Sequence, residues 1–570
     1  MIFAILLALS FFLHPNLVYA INDPLSVPNN TYGIHVADTN DIADSASLVN
    51  SIGGEWGYVT CVIQDNDMSV EKWQEVMNVM RRKHLIPIVR IATHIEGDAW
   101  VKPQEHNIAK WVDFLSSLNW PIENRYVVLF NEPNNAKEWG NSLDPEGYGM
   151  TLINFSTALK KQSQDFFILP AGFDASAATD GSSMDEETFL KRMIDAHPSV
   201  LSAIDGWTSH AYPNPGFSGS PYAYGRGTLT TFIWERDLLY SLGLTKTLPV
   251  FITETGWQHR FGKYFDYRLL DPDIVGHYMS IASQTVWNET HIVAVTPFLF
   301  NYQDYPFDHF SFKKLGSSDF YSQYDAYRNV SKTKGKPRQR ESFSTNPFVF
   351  PNELITHSNY VLESEMKNTG QSIASSESSY TLTARDTDGL FGSLSGIIPY
   401  LEPGQSGKIR IILKTPNKEG VYRLTLVVSH DDREIIVEEK DITVIPPPSA
   451  TLNVTLGWNT KGNTEKATVL VYDMKNTLLH KFSVVPVQNG KMTITGLYEI
   501  VPEQKYRVVI LVPYYLPRQE IVTMKSKQNT WTFKRLYPFD FNRDGKLTVS
   551  DVFVMVVYPP FSIFRIFLAR

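Results

Sequence analysis

The chain has 570 residues, of which 43% are hydrophobic and 20% charged, with a formal net charge of -8. This composition excludes a wholly disordered or collagen-like chain, and the length suggests about three to five domains. No basic face suited to a phosphate backbone is present, so we expect no nucleic-acid partner. Cys61 is the only cysteine, which excludes an internal disulfide and a cysteine-based metal site.

The chain opens with an apolar run that has the features of a secretory signal peptide. Residues 2–13 are almost uninterruptedly apolar, and Val18-Tyr19-Ala20 supplies small residues at the two positions that determine cleavage. Only the α-amino group provides positive charge before this run, so a retained N-terminal anchor is the alternative. We predict a signal peptide at residues 1–20, and hence a secreted or extracellular protein, with attachment to the cell surface as a variant.

Between residues 31 and 301 the hydrophobic pattern alternates between strand-like and helix-like periods. Eight apolar, β-branched runs lie at residues 32–37, 57–63, 85–91, 126–130, 166–171, 204–210, 249–253 and 292–300. Such runs are typical of parallel strands buried on both faces. The intervening segments carry helical apolar stripes, such as Trp73, Val76, Met77 and Met80.

Eight strands alternating with helices over ~300 residues predict an α/β fold, a (β/α)₈ TIM barrel at residues 21–330. An open doubly wound sheet is the alternative. That fold normally has a Gly-rich turn after its first strand, whereas Thr39-Asn40-Asp41 follows here.

The rest of the chain is predicted to be mostly β-structure. Residues 331–340 are polar and aperiodic, which indicates a linker. Residues 341–446 alternate like strands between turn signals and resemble the immunoglobulin-like modules of bacterial surface proteins. Pro446-Pro447-Pro448 marks a break, and residues 447–535 form a second all-β module of the β-sandwich type. A short EF-hand-like segment and tail, residues 536–570, complete the predicted architecture.

Residues 540–551 match the calcium loop of EF-hands. Oxygen-bearing side chains occupy loop positions 1, 3, 5, 9 and 12, namely Asp540, Asn542, Asp544, Thr548 and Asp551. Lys546 stands at position 7, which contributes a backbone carbonyl, and Gly545 at the sharp turn. The loop resembles one repeat of a dockerin, a calcium-dependent module that attaches polysaccharide-degrading enzymes to a scaffold protein. The resemblance implies a Ca²⁺ ion and a scaffold or cell-surface partner, although dockerins have two repeats.

Two glutamates stand where predicted strands end. The fourth run is followed by Asn131-Glu132, and the seventh by Glu254. Catalytic residues of TIM barrels lie at the carboxyl ends of strands, and strands 4 and 7 face each other across an eight-stranded barrel. Glycoside hydrolysis needs one protonated and one ionised carboxyl group, which retaining enzymes hold at roughly 5–5.5 Å.

Asn131-Glu132 after strand 4 and Glu254 after strand 7 resemble the signature of clan A glycoside hydrolases, the 4/7 superfamily. The resemblance covers about residues 30–310. It implies that Glu132 is the general acid/base, that Glu254 is the nucleophile and that Asn131 binds the sugar 2-hydroxyl. It also implies that catalysis needs no cofactor. The alternative for each glutamate is a surface carboxylate that caps the next helix.

Other polar residues near strand ends are predicted to support this pair. His210 ends the sixth run and Tyr212 follows it. The resemblance implies that one of them orients Glu254 or contacts the sugar, with rim packing as the alternative. Arg90 interrupts the apolar third run and requires a carboxylate partner if buried. Pairing with Glu254 would keep the nucleophile ionised, and a purely structural ion pair is the alternative.

Aromatic residues after strand ends are candidates for stacking on sugar rings. Trp257, Tyr302 and Trp139 have this position, with rim packing as the alternative for each. Many clan A members place a Trp at the end of the eighth run, which this sequence lacks, so the identity of the stacking ring stays open.

The sequence therefore predicts a retaining glycosidase that hydrolyses O-glycosidic bonds of a poly- or oligosaccharide. It contains no H-E-x-x-H, P-loop or G-x-S-x-G motif, and His35, His94 and His259 do not suggest a metal triad. A transglycosylase is the nearest chemical alternative. A non-catalytic, carbohydrate-binding surface adhesin is the alternative from another class of protein.

Overall fold

The computed structural model describes residues 21–458 and 464–557, so the predicted signal peptide at 1–20 and the tail from 558 lie outside the described residues. The chain divides into two compact units. The first runs to Glu341 and includes Gly370–Ser372, and the second contains Ser342–Thr369 and the residues from Ile373 onwards. Within the described residues, every helix is too short or too polar to span a bilayer.

The first unit is built on a parallel sheet of eight strands. These strands, β1 to β8, are Thr31–Val36, Gly57–Gln64, Leu85–Ala92, Arg125–Leu129, Phe166–Pro170, Trp207–His210, Val250–Glu254 and Ile292–Val295. Their spatial order is β5-β4-β3-β2-β1-β8-β7-β6. Asp205 N donates to Ile168 O at 2.8 Å between the two outer strands, β5 and β6. The sheet thus closes into a TIM barrel, and the predicted barrel fold is confirmed.

Helices cover the outside of the barrel. They are α1 to α9, with bounds Ile42–Val49, Val70–Arg82, Ile108–Ser117, Pro145–Gln162, Glu186–Ala196, Val200–Ala203, Thr231–Ser241, Pro272–Gln284 and Ser322–Arg328. Helix α2 shows why they form: Ser69 caps its first turn by accepting from Lys72 N at 3.3 Å. The predicted stripe that includes Trp73 and Met77 is buried. A two-stranded hairpin, Ile95–Glu96 with Ala99–Trp100, lies after β3.

The amino-terminal half of the barrel interior is filled with apolar side chains. A cluster that includes Tyr58, Tyr126, Phe167, Phe251 and Val293 packs there, with the rings of Tyr126 and Phe251 5.1 Å apart. This packed half leaves the carboxyl ends of the strands as the place where active sites of TIM barrels lie.

The stretch predicted as a linker, residues 331–340, is part of the first unit. The Lys332 ammonium group is buried and donates to backbone carbonyls of Tyr327 and Val330 at 3.0 and 2.9 Å. Gly335 N donates to Glu55 O at 3.0 Å. The prediction of a linker outside the barrel is therefore wrong. Polar groups of residues 331–340, such as the Lys332 ammonium group, bond to backbone atoms of the barrel unit. The composition of the stretch does not indicate these bonds.

The second unit is rich in β-sheet, as predicted. Its largest sheet has eight strands, in spatial order Phe343–Thr345, Asn359–Asn368, Ser406–Lys414, Gly392–Ile397, Thr381–Asp386, Gly420–His430, Arg433–Ile445 and Glu353–Ile355. All neighbours are antiparallel except the last pair. Leu362, Ile411 and Leu424 belong to the buried cluster of this part.

Two smaller sheets enclose a separate core. One contains Lys491–Ile494, Ser449–Asn453 and Gln528–Thr532, and the other Leu478–Val487, Thr464–Tyr472, Lys505–Leu511 and Arg518–Thr523. Leu452, Val508 and Trp531 are buried in this core. Helix α10, Val549–Val557, follows the predicted calcium loop. The immunoglobulin-like character of the sheets remains a prediction.

Candidate active site

The backbone after β4 carries Glu132 to the mouth of the barrel. Phe130 and Glu132 have φ angles of 71° and 27°, in the left-handed region that side-chain-bearing residues avoid. Glu132 N donates to Gly172 O at 3.0 Å, which holds this turn against the end of β5. Strained backbone of this kind is concentrated at functional sites. Glu254 needs no such turn, because it is the last residue of β7.

Glu132, His210 and Glu254 form one cluster at the mouth. A carboxylate oxygen of each glutamate and a ring nitrogen of His210 all lie within 4.8 Å of one another. His210 Nδ1 lies 2.7 Å from Glu132 Oε1 and 3.8 Å from Glu254 Oε2. A Cβ atom on Gly172 would lie only 2.2 Å from His210 Cδ2, so glycine makes room for the ring. The donor spacing would also suit a metal ion, a possibility that the sequence analysis did not raise.

Glu254 is held by cationic and hydroxyl donors. Arg90 Nη1 donates to Oε1 at 2.6 Å, and Tyr212 Oη donates to Oε2 at 3.0 Å. Burial by itself would raise the pKa of Glu254, but the charges of His210 and Arg90 outweigh it and lower the pKa to about 2. The group is therefore ionised at neutral pH.

Glu132 is shifted in the opposite direction. Burial raises its pKa, and the negative charges of Glu254 and Asp174 add to this effect, while the hydrogen bond with His210 opposes it. Burial lowers the pKa of His210, but the two glutamates outweigh it, so that the net shift is upward. The pKa values of the two carboxyl groups are thus shifted in opposite directions, upward for Glu132 and downward for Glu254.

Arg90 joins two of the predicted residues. The same Nη1 that donates to Glu254 also donates to Asn131 Oδ1 at 2.6 Å. The ion pair between Arg90 and Glu254 that the sequence suggested is therefore present.

Tyr302 lies half-buried after β8, with its ring 5.5 Å from that of Phe307.

Two of the three predicted stacking residues have no open ring face. Trp257 is 1% exposed and Trp139 is 0% exposed. The Trp257 indole donates to Gly219 O at 2.8 Å, and its ring packs 6.3 Å from that of Trp287. The predicted sugar-stacking role is wrong for both residues, because their rings turn back into the core after the strand ends.

Two residues near the carboxylates were missed by the sequence analysis. His35 Nδ1 lies 3.8 Å from Glu254 Oε1, and burial lowers the pKa of His35 to about 4, so the ring is neutral at pH 7. A signal existed, because His35 interrupts an apolar run as Arg90 does. Burial and the charge of Glu132 raise the pKa of Glu138 to about 7. Glu138 follows β4 in a loop, where the sequence carries no such signal.

The predicted calcium loop has a turn-rich conformation. Gly545, with φ of 81°, donates through its N–H to Asp540 Oδ2 at 3.2 Å. Asp551 accepts from Thr548 N at 2.8 Å. Asp540 Oδ1 is buried and has no hydrogen-bond partner among the described residues. Burial raises the pKa of Asp540, and the charges of Asp551 and Asp544 add to the shift. This orphaned oxygen among carboxylates fits a hard cation.

Comparisons with known proteins yield likenesses in structure only. The sequence matches no known protein family and no curated protein. Similar solved structures include a family 39 glycoside hydrolase from Bacteroides cellulosilyticus WH2, with 13% identity, coverage of 69% of this chain and 82% of that chain, and a TM-score of 0.37.

Two further structures are a monomeric β-xylosidase from Caulobacter crescentus CB15 and a family 51 α-L-arabinofuranosidase from Bifidobacterium longum. Both are 10% identical with a TM-score of 0.37. The coverage is 82% of this chain and 97% of that chain for the first, and 70% and 96% for the second. Likeness at this level assigns neither a family nor an activity to the chain.

Proposed function

We propose that the barrel is a retaining glycoside hydrolase that cleaves O-glycosidic bonds of a poly- or oligosaccharide. The observation that carries this proposal is the spacing of Glu132 and Glu254, with an oxygen of each inside the 4.8 Å cluster. Inverting enzymes separate their carboxyl groups by roughly 6.5–9.5 Å to admit a water molecule, whereas retaining enzymes hold them closer. The opposite pKa shifts of the two groups supply the two protonation states that double displacement requires.

In the first displacement, Glu254 attacks the anomeric carbon while Glu132 donates its proton to the glycosidic oxygen. The C–O bond to the leaving sugar breaks, and a glycosyl ester forms on Glu254. Arg90 and Tyr212 orient the attacking carboxylate through hydrogen bonds to its two oxygens. Asn131, held by Arg90, is positioned to bind the 2-hydroxyl of the sugar.

In the second displacement, the ionised Glu132 removes a proton from water, and the water oxygen attacks the anomeric carbon. The ester bond breaks, Glu254 regains its negative charge, and the sugar leaves with its original configuration. His210 Nδ1 lies 2.7 Å from Glu132, so that a protonated His210 offsets the charge that Glu132 gains when the proton has left.

The experiment is hydrolysis of a panel of polysaccharides and aryl glycosides by the wild type, Glu132→Ala and Glu254→Ala. We expect Glu254→Ala to lose about 10⁴-fold or more in kcat, a loss of the size seen when catalytic side chains are removed. Azide should rescue it by giving a glycosyl azide of inverted configuration. Glu132→Ala should keep activity only on aryl glycosides with good leaving groups, because these need no proton donor.

The buried Glu235, on α7, provides a matched control, and Glu235→Gln should retain turnover. No turnover of any panel member by the wild type would favour the binding-protein alternative. Activity that survives the loss of Glu254 would refute the assignment of the nucleophile. Transfer of sugar to a second sugar rather than to water would instead indicate a transglycosylase.

We further propose that residues 540–551 bind Ca²⁺, and that the bound segment attaches the exported enzyme to a scaffold or cell-surface partner. The unpartnered Asp540 Oδ1 supports the calcium site. Calcium should raise the Tm of the second unit in a manner that EGTA reverses, because an ion that binds only the folded state stabilises it. Asp540→Asn should remove this shift, and Asp473→Asn, at a half-buried position beside a turn elsewhere in the unit, should keep it. A Tm that is insensitive to calcium would refute the site.

A further inference from the structure

Six aromatic side chains are exposed on two loops at the mouth of the barrel. They are 42–81% exposed and comprise Phe261, Tyr264, Phe265 and Tyr267 after β7, with Tyr305 and Phe307 after β8. None of them was predicted as a site residue from the sequence. Exposed rings in such density are unusual for a soluble domain and mark an interaction surface.

The two loops are held together by a network of hydrogen bonds. His259 N donates to His309 O at 2.8 Å, and Arg260 N donates to Leu270 O at 2.8 Å, which closes the base of the β7 loop. The rings of Tyr264 and Tyr305 then meet across the loops at 5.9 Å. The exposed rings are therefore carried by two loops that are bonded to each other.

A series of ring contacts connects this rim to the proposed nucleophile. Tyr212, which donates to Glu254, packs 5.7 Å from Phe310, and Phe310 packs 5.4 Å from Phe298. Phe298 packs 5.5 Å from Phe307, which is exposed. The rim is thus connected, through the buried rings of Tyr212 and Phe310, to the residue that holds the proposed nucleophile.

The charges on the β7 loop are paired with one another or with the β8 loop. Lys263 contacts Asp304 at 2.7 Å, and Arg268 contacts Asp266 at 2.6 Å. Arg260 lies 3.6 Å from Asp271. Because all three cations of this loop already have a carboxylate, the surface offers ring faces rather than net charge. A neutral ligand fits it better than an anionic one.

From this continuity and this charge pairing we infer that the rim, formed by the β7 and β8 loops, binds the extension of a neutral polysaccharide chain beyond the bond that is cleaved. The inference rests on the proposed function. Sugar rings have apolar faces that lie against aromatic rings, and each contact adds affinity without requiring a charge. The enzyme would therefore prefer long neutral chains to short glycosides.

The test is affinity electrophoresis of the full chain through gels that contain soluble β-glucan, xylan, mannan or the anionic polygalacturonate. All proteins carry Glu254→Ala, so that the polysaccharide stays intact. Two double variants, Tyr264→Ala/Tyr305→Ala and Phe265→Ala/Tyr267→Ala, remove different parts of the rim. Tyr240→Ala, at an exposed position on α7, is the matched control. Thermal melts check that each variant is folded.

We expect retardation by at least one neutral polysaccharide and none by polygalacturonate. Each double variant should bind about ten-fold more weakly, since each ring contact contributes a modest share, and the control should be unchanged. Three outcomes would overturn the inference: binding that is unchanged in the rim variants, binding to polygalacturonate, and no binding at all. The measurement needs no turnover. If the protein binds through the rim but hydrolyses nothing, only the proposed function is refuted. If it hydrolyses a polysaccharide but does not bind through the rim, only this inference is refuted.

Discussion

Strand β6 separates two pairs of buried carboxyl groups whose surroundings differ. On its inner face, His210 contacts Glu132 and lies close to Glu254. On its outer face, Ser209 lies beside Glu235 of α7, which interacts with Glu186 of α5. Successive residues of a strand point to opposite faces, so that adjacent positions of β6 serve the two pairs.

The two pairs differ in the donors that surround them. Arg90, His210 and Tyr212 hold the inner carboxylates and separate their pKa values. Burial raises the pKa of both Glu186 and Glu235, and the neutral donors Ser209 and Trp207 offset this only in part at Glu235. Burial with neutral donors therefore raises the pKa of both carboxyl groups. Donors of suitable charge are what turn a carboxyl pair into a site with one acid and one nucleophile.

The largest effect is expected when Arg90 is replaced by methionine. The loss of its charge should raise the pKa of Glu254, because Arg90 is one of the charges that lower it. The acidic limb of the kcat/KM profile should then move to higher pH, because the nucleophile must be ionised. Asn131 also loses its donor, so kcat/KM should fall by roughly 10²-fold at the optimum.

Arg125 provides a close control for this variant. Its side chain is 14% exposed, like that of Arg90, and it lies 3.8 Å from Asp165 at the amino end of β4. Arg125→Met should lower stability and leave the pH profile in place. If both variants shift the profile equally, the effect of Arg90 on Glu254 is not specific.

A smaller loss is expected from Gly172→Ala. The added methyl group would overlap the His210 ring, so the ring must move away from Glu132. Because His210 lowers the pKa of Glu132, this movement should raise that pKa and shift the basic limb of the profile to higher pH. The rate should fall by about 10- to 100-fold, as expected for a displaced positioning residue. Gly181→Ala, in open space, should change neither rate nor profile, and a similar result for Gly172→Ala would show that the ring is not positioned by this contact.

The barrel could be predicted from the sequence because its strands are marked by apolar runs. The observed bounds of β2, Gly57–Gln64, and of β5, Phe166–Pro170, differ by one residue from the predicted ends. The two glutamates could be placed at the mouth by the same logic, since a strand that ends in a polar residue delivers it to the barrel rim.

Residues whose role depends on the path of a loop or on the packing of distant elements could not be predicted. Whether a Trp after a strand faces the cleft or the core depends on the loop path, and Trp257 turned inward. The exposed rings after β7 lie in a segment without periodicity, where no pattern indicates orientation. Glu186 and Glu235 occupy ordinary helical positions, and only the packing of α5 and α7 brings them together.

The smallest effect should come from Glu235→Gln, and it concerns stability rather than rate. Burial raises the pKa of Glu235 to about 7, so the folded state holds the proton more tightly than the unfolded chain. That stabilisation is complete below the unfolded pKa near 4.5 and is lost as pH rises through about 7. Glutamine carries no proton to lose. The Tm of the barrel unit should therefore rise by roughly 5 °C at pH 8 and hardly change at pH 5. Glu187→Gln, at an exposed site on α5, should show no such pH dependence. An equal change in Tm at both pH values would mean that Glu186 and Glu235 stay neutral over this pH range. The donors around Glu132 and Glu254 would then be needed for ionisation itself, as well as for the difference between the two pKa values.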